Sequence, residues 1–211
     1  MRPPDQRHGR RYAAGMQTRI DALEAAAPDI VLAWRGIGDG ALISVRREVR
    51  RRSGAGTAGR VAGELAAVGE ALAACVRALP DAAFTMPGGE GDWNVAQAIG
   101  HTADARSGLA MAGSLAATGR WPDDAPAVVP GVPGAADAGR DALLRRLAAS
   151  GRIIERAARA IAGHETEPCP LEHPLVGRMR CGEWLLFAGV HDLMHLEQLE
   201  RLERTLAEEG R

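Results

Sequence analysis

The chain has 211 residues, 46% of them apolar, 3% aromatic and 25% charged, with a formal net charge of −1. That length suits one domain with or without an extension, and the near-neutral total excludes a wholly basic nucleic-acid binder and a halophile-like acidic shell. An alanine-rich composition with few β-branched or aromatic residues argues for helices, and no apolar run reaches the roughly 18 residues of a membrane span.

All 26 basic residues are arginine, and they are unevenly spread. Residues 1–60 hold 12 arginines against 6 acidic residues, while residues 61–211 hold 14 against 21. The densest run, Arg46, Arg47, Arg50, Arg51 and Arg52, leads into Ser53-Gly54-Ala55-Gly56. With no aromatic side chain interleaved to stack on bases, it reads as a solvated helix end rather than a nucleic-acid surface. The arginine-rich first 15 residues lack the apolar segment of a secretory signal. Cys75, Cys169 and Cys181 make an odd number without CxxC spacing, which favours a reducing, cytoplasmic setting over a disulfide framework.

Residues 1–56 are expected to form a basic N-terminal extension, partly helical or irregular. A short helix over 17–27 is followed by interruptions at Pro28, Gly36, Gly38 and Gly40. The remaining residues, 57–211, carry the bundle. From Gly59 onward Val61, Leu65, Val68, Leu72, Val76 and Leu79 recur at helical spacing until Pro80. A turn over 87–91 leads into a second helix, capped by Asp92 or Asn94, that runs to about Thr118. Beyond the Pro/Gly-rich connection 119–134, a third helix spans 136–162 with Leu143, Leu147, Ile154 and Ile161 on its apolar face. The segment 164–180 holds three prolines and is expected as a loop before a fourth helix over 181–208. No segment shows a strand-like alternation of two. The fold class is all-α, a four-helix bundle with an N-terminal extension.

Of six histidines, His191 and His195 carry the most information. An i, i+4 pair lies about 40° apart around a helix and roughly 6 Å apart along it, so two imidazoles can share one metal ion. The stripe through them, Trp184, Ala188, His191, His195, Gln198 and Leu202, has apolar neighbours, which points the rings into the bundle or its mouth. His101 lies on the second helix among Ala98, Ala105, Gly108 and Ala112, small residues that suit either close packing or a cavity. If His101 meets the pair, three nitrogens face one ion and other coordination positions stay open.

Other arrangements compete. His191-Asp192-Leu193-Met194-His195 is similar to the HExxH of zinc proteases, but aspartate is a methylene short and 16 residues follow His195, too few for the usual downstream ligand. Cys169 and His173, four apart in the Pro-rich loop, offer zinc ligands together with Cys181 or His164, although a plain surface loop is the favoured reading. Asp104, Asp192 and Glu197 are the nearest carboxylates in sequence that orient an imidazole or move a proton. Gln198 is placed to hold His195, and Trp93 and Trp184 read as packing residues.

Two stretches resemble the DinB-like superfamily of four-helix-bundle metalloproteins. Gly91-Asp92-Trp93-Asn94-Val95 through His101 is similar to the family's Trp-Ser/Thr-Val then His element on the second helix. His173-Pro174, Gly177, Glu183-Trp184-Leu185, then His191 through His195 and Gln198 resemble its His-Pro, Gly, Glu-Trp-Leu, HxxxH and Gln signature. The likeness runs from about Arg60 to Leu206. It implies a metal triad of His101, His191 and His195, a divalent ion such as zinc or nickel, and a homodimer. It further implies a transferase activity that uses a low-molecular-weight thiol as cosubstrate, with no nucleic acid and no membrane as partner. The mycothiol-dependent isomerase branch has a glutamate in place of the first histidine of HxxxH; His191 stands there in this chain. A non-catalytic metal-binding or stress-associated dimerisation module and a metal-dependent hydrolase are the competing functions. No catalytic residue is assigned.

Overall fold

The structure is a computed structural model that describes residues 18–37, 42–88, 91–129, 131–174 and 176–209. His8, the first 15 residues, Gly38, Gly40 and positions 89–90 of the turn lie outside the described residues. Four long helices make the body: α4 (Ala58–Ala78), α5 (Val95–Ala117), α6 (Arg140–Ile161) and α7 (Cys181–Glu209). Each of α4 and α5 packs against both α6 and α7, so the cyclic order is α4, α6, α5, α7. The fold is therefore the expected all-α bundle, and its two histidine-bearing helices are neighbours.

Local chemistry accounts for the ends of these helices. Leu79 leaves helical geometry just before Pro80, which disfavours the α conformation in the residue before it. Asn94 begins α5 with a capping box: its side chain accepts from the Gln97 N–H at 2.9 Å, and the Gln97 side chain accepts from the Asn94 N–H at 3.0 Å. The third long helix starts at Arg140, later than its apolar pattern suggests, because the chain is still extended at Gly139.

Residues 18–52 contain three helices where one is expected: α1 (Arg19–Ala22), α2 (Pro28–Arg35) and α3 (Leu42–Arg52). Pro28 opens α2 rather than breaking a helix, since the missing N–H of proline costs nothing at a first helical position. The cap comes from across the fold: buried Glu64 of α4 accepts from the backbone N–H groups of Asp29 and Ile30, both at 3.0 Å. Glu200 of α7 likewise accepts from the Arg19 N–H at 2.6 Å. Negative charge at a helix N-terminus is favourable, so each carboxylate also docks its helix on the bundle. Ile30, Val31, Ala33, Val45 and Val49 are buried in the same hydrophobic cluster as the bundle core.

The expected loop 164–180 contains an antiparallel hairpin, β1 (Pro168–His173) and β2 (Gly177–Arg180). Cys169 and Leu171 face inward and Pro168, Pro170 and Glu172 outward, so a two-residue alternation is present after all. The connection after α5 adds a bridge, Val128 beside Glu172. Cys75, Cys169 and Cys181 are buried free thiols, and burial raises them to about 12, 11 and 12. Among the described residues, no helix is long and apolar enough to cross a membrane.

Candidate metal centre

His101 enters the site from α5 and His191 and His195 from α7. Their candidate ligand nitrogens all lie within 4.8 Å of one another, and among the described residues this is the group of three or more metal-ligating side chains. The Cys169–His173 alternative is not assembled: the Cys169 thiol turns to the Ala112 carbonyl at 3.6 Å, while the His173 ring packs on Phe187 with centroids 4.9 Å apart.

The rear nitrogens fix which face each ring presents. The Val132 carbonyl can only accept, so His101 Nδ1 donates to it, at 2.9 Å. Gln198 donates through Nε2 to the Gly88 carbonyl, which leaves its Oε1 to accept from His195 Nδ1 at 3.1 Å. Both rings are thereby held in the tautomer whose Nε2 carries a lone pair. His191 Nε2 lies 3.4 Å from His195 Nε2, whereas its Nδ1 is buried without a hydrogen-bond partner among the described atoms. Burial first, then the proximity of His195, His101 and His173, holds His191 well below the usual imidazole range, so it is neutral near pH 7.

Val132 reaches His101 because the connection after α5 crosses that helix at Gly100. A side-chain carbon at Gly100 would stand 2.9 Å from the Gly134 Cα, and the Gly134 N–H donates to the Gln97 carbonyl at 3.0 Å. Only a glycine pair allows two backbones this close. Trp93, immediately before the α5 cap, packs its ring 4.9 Å from that of His101.

The family model of the DinB superfamily matches residues 64–199, a span that includes all three histidines. The chain belongs to the DinB superfamily. Searches against curated proteins and against solved structures return no match. In this DinB-superfamily chain the triad lines a cleft of about 1810 Å³, between α5 and α7 and roofed by parts of α2, α3 and the 119–134 connection. Its walls are largely apolar, with Trp34, Leu109, Trp121, Phe187 and Val190 among them, and the exposed side chains Met111, Val132 and Met194 lie at its rim.

The three carboxylates singled out in the sequence are distributed differently. Asp192 does not line the cleft; it is fully buried in the bundle interior, where Arg106 Nε donates to its Oδ2 at 2.8 Å. It therefore cannot act as the base of an HExxH-like site. Asp104 and Glu197 do border the cleft, but each holds an arginine: Arg146 at 2.5 Å and Arg201 at 3.3 Å. Trp184 is fully buried packing, as read from the sequence. The sequence reading missed Arg106, whose charge stands out on an otherwise apolar buried face of α5. It also missed the contribution of Trp34 and Val45 to the cleft, because their helices were not recognised as part of the core.

Proposed function

We propose that this chain binds one divalent ion, zinc or nickel, through His101, His191 and His195, and acts as a metal-dependent transferase using a low-molecular-weight thiol. The observation that carries the reading is the 3.4 Å between His191 Nε2 and His195 Nε2. Two imidazole nitrogens about 2.05 Å from a tetrahedral zinc ion are roughly 3.3 Å apart, so the pair has the edge length such an ion needs. The hydrogen bonds at Nδ1 of His101 and His195 leave the Nε2 lone pair of each ring for an ion. Held by three neutral imidazoles, a divalent ion keeps its full charge and supplies stabilisation of a thiolate at neutral pH.

The chain's own residues provide the rest. Gln198 orients His195, Val132 and Trp93 hold His101, and the apolar cleft excludes water from an acceptor carrying apolar surface. The open cleft favours a reactive site over a closed structural one. The engagement of Asp192 with Arg106 removes the carboxylate that a hydrolase of the HExxH kind would use. Three free, buried thiols fit a reducing cytoplasm.

The test is turnover by the metal-loaded protein with glutathione, bacillithiol or mycothiol and an electrophilic aryl chloride. Metal-dependent thiol consumption, abolished by His191→Ala, is expected. Hydrolysis of an activated ester without thiol consumption would replace the transferase with a hydrolase. Metal binding without either activity would leave a non-catalytic module.

A further inference from the structure

The arginines of α3 do not simply face solvent. Arg46 and Arg50 stand across from Arg178 and Arg180 of β2, around a second cavity of about 400 Å³. Its floor includes Cys169 and Met179, both buried. Pro168 and Pro170 complete the β1 wall; lacking N–H groups, they leave hydrogen-bond donation there to the guanidinium forks.

Charge in this cavity is only partly answered. Buried Glu183 accepts from Arg50 Nε at 2.6 Å and from the Arg180 backbone N–H at 2.9 Å, with Arg180 Nε at 3.9 Å. Glu172 lies 3.8 Å from Arg178 Nε, but both are exposed, and a pair of that kind contributes little. Arg46 has no carboxylate partner among the described residues. Four guanidinium groups from two elements thus meet two carboxylates, leaving a surplus of positive charge over a floor of low polarity, where charge interactions are strengthened.

We propose that this cavity is a binding site for a phosphate group, either inorganic phosphate or a small phosphate monoester, held by the planar forks of Arg46 and Arg178 with Arg50 and Arg180 beside them. Arginine is suited to this because its fork matches two phosphate oxygens at once. The volume lies within the range of small-molecule sites. No aromatic residue lines the cavity, so nothing there stacks on a nucleic-acid base. The site is separate from the histidine cleft but shares the hairpin with it: Cys169 lines this cavity, while Leu171 and His173 line the cleft. A bound anion would tie α3 to that hairpin.

Calorimetric titration of the full chain with inorganic phosphate and with phenyl phosphate, at ionic strength fixed with chloride, tests the site. Saturable binding of at least one probe is expected, and tighter binding of phenyl phosphate would assign the site to monoesters rather than the free ion. Arg46→Ala with Arg178→Ala should weaken binding about ten-fold or more, as expected for lost charge-assisted hydrogen bonds. Circular dichroism and metal content should stay unchanged in that variant, since both side chains are exposed. Arg47→Ala with Arg51→Ala removes two arginines of the same helix that lie beside Glu48 and outside the cavity, and should leave the affinity unchanged. Binding no stronger than the chloride control, or equal losses in the two double variants, would overturn the proposal.

Discussion

Arg106 Nε donates to Asp192 Oδ2 at 2.8 Å, joining the same two helices that carry the three histidines. Arg106 lies little more than one turn beyond His101 on α5, and Asp192 lies between His191 and His195 on α7. The guanidinium also donates to Ser150 Oγ of α6 at 3.1 Å and to the Leu65 carbonyl of α4 at 2.8 Å. One buried side chain thus touches all four helices of the bundle. Burial pushes the Asp192 carboxyl up to about 6, and Arg106 opposes that shift.

Removing one partner of a buried pair strands the other charge. Arg106→Met should therefore lower stability by about 3–5 kcal/mol in urea denaturation, and adding Asp192→Leu should recover most of it. An Arg106→Met loss below about 1 kcal/mol would show that the pair does not hold the helices together.

The bundle was legible in the sequence because its helices carry their own signals: apolar spacing from Val61 to Leu79, the Asn94 cap, and Pro80 as a stop. The hairpin was hidden by Pro168 and Pro170, which read as loop residues although an edge strand accepts proline at its outward positions. The helix α2 was hidden for a different reason, since Pro28 reads as a breaker. Its cap, Glu64, comes from α4, and no local pattern records a partner that distant. His101, His191 and His195 could be named from spacing and family resemblance, but the positions of Val132 and Gln198 behind them depend on how the connections cross the bundle.

The docking of α2 on α7 can be tested by a pair of substitutions. A side-chain carbon at Gly189 would meet Ile30 Cδ1 at 2.5 Å, and Ile30 is fully buried. Ile30→Ala should cost about 2–5 kcal/mol through the cavity it leaves. Gly189→Ala should cost about 1–3 kcal/mol through overpacking. Combined, they should cost clearly less than their sum in thermal denaturation, because the new methyl group occupies the vacated space. Strict additivity would place the two residues out of contact.

Acid should loosen α1 and α3 early. The Arg52 guanidinium holds the Glu48 carboxyl below its ordinary value, and hydrogen bonds with Thr18 do the same for Asp21. A carboxyl lowered in the folded state contributes stability that is complete above its unfolded pKa, roughly 4, and is lost as pH falls through the folded value. Amide exchange corrected for intrinsic rates should thus show 18–52 losing protection below about pH 4, before α5 and α6 do. Simultaneous loss everywhere would contradict this.

Gln198 should matter to metal affinity without touching the ion. It accepts from His195 Nδ1 and donates to the Gly88 carbonyl, so Gln198→Leu removes the hydrogen bond that orients the ring. Chelator competition should then show affinity reduced about 10–100-fold with the helical circular dichroism unchanged. Unchanged affinity would remove Gln198 from the site.

The account turns on whether the histidines hold an ion. Elemental analysis of protein purified without an affinity tag, beside the His101/His191/His195→Ala triple variant, measures this directly. About one zinc or nickel per chain, absent from the folded variant, is the expected result. No metal in the wild-type chain even after reconstitution, or equal metal in both proteins, would contradict it.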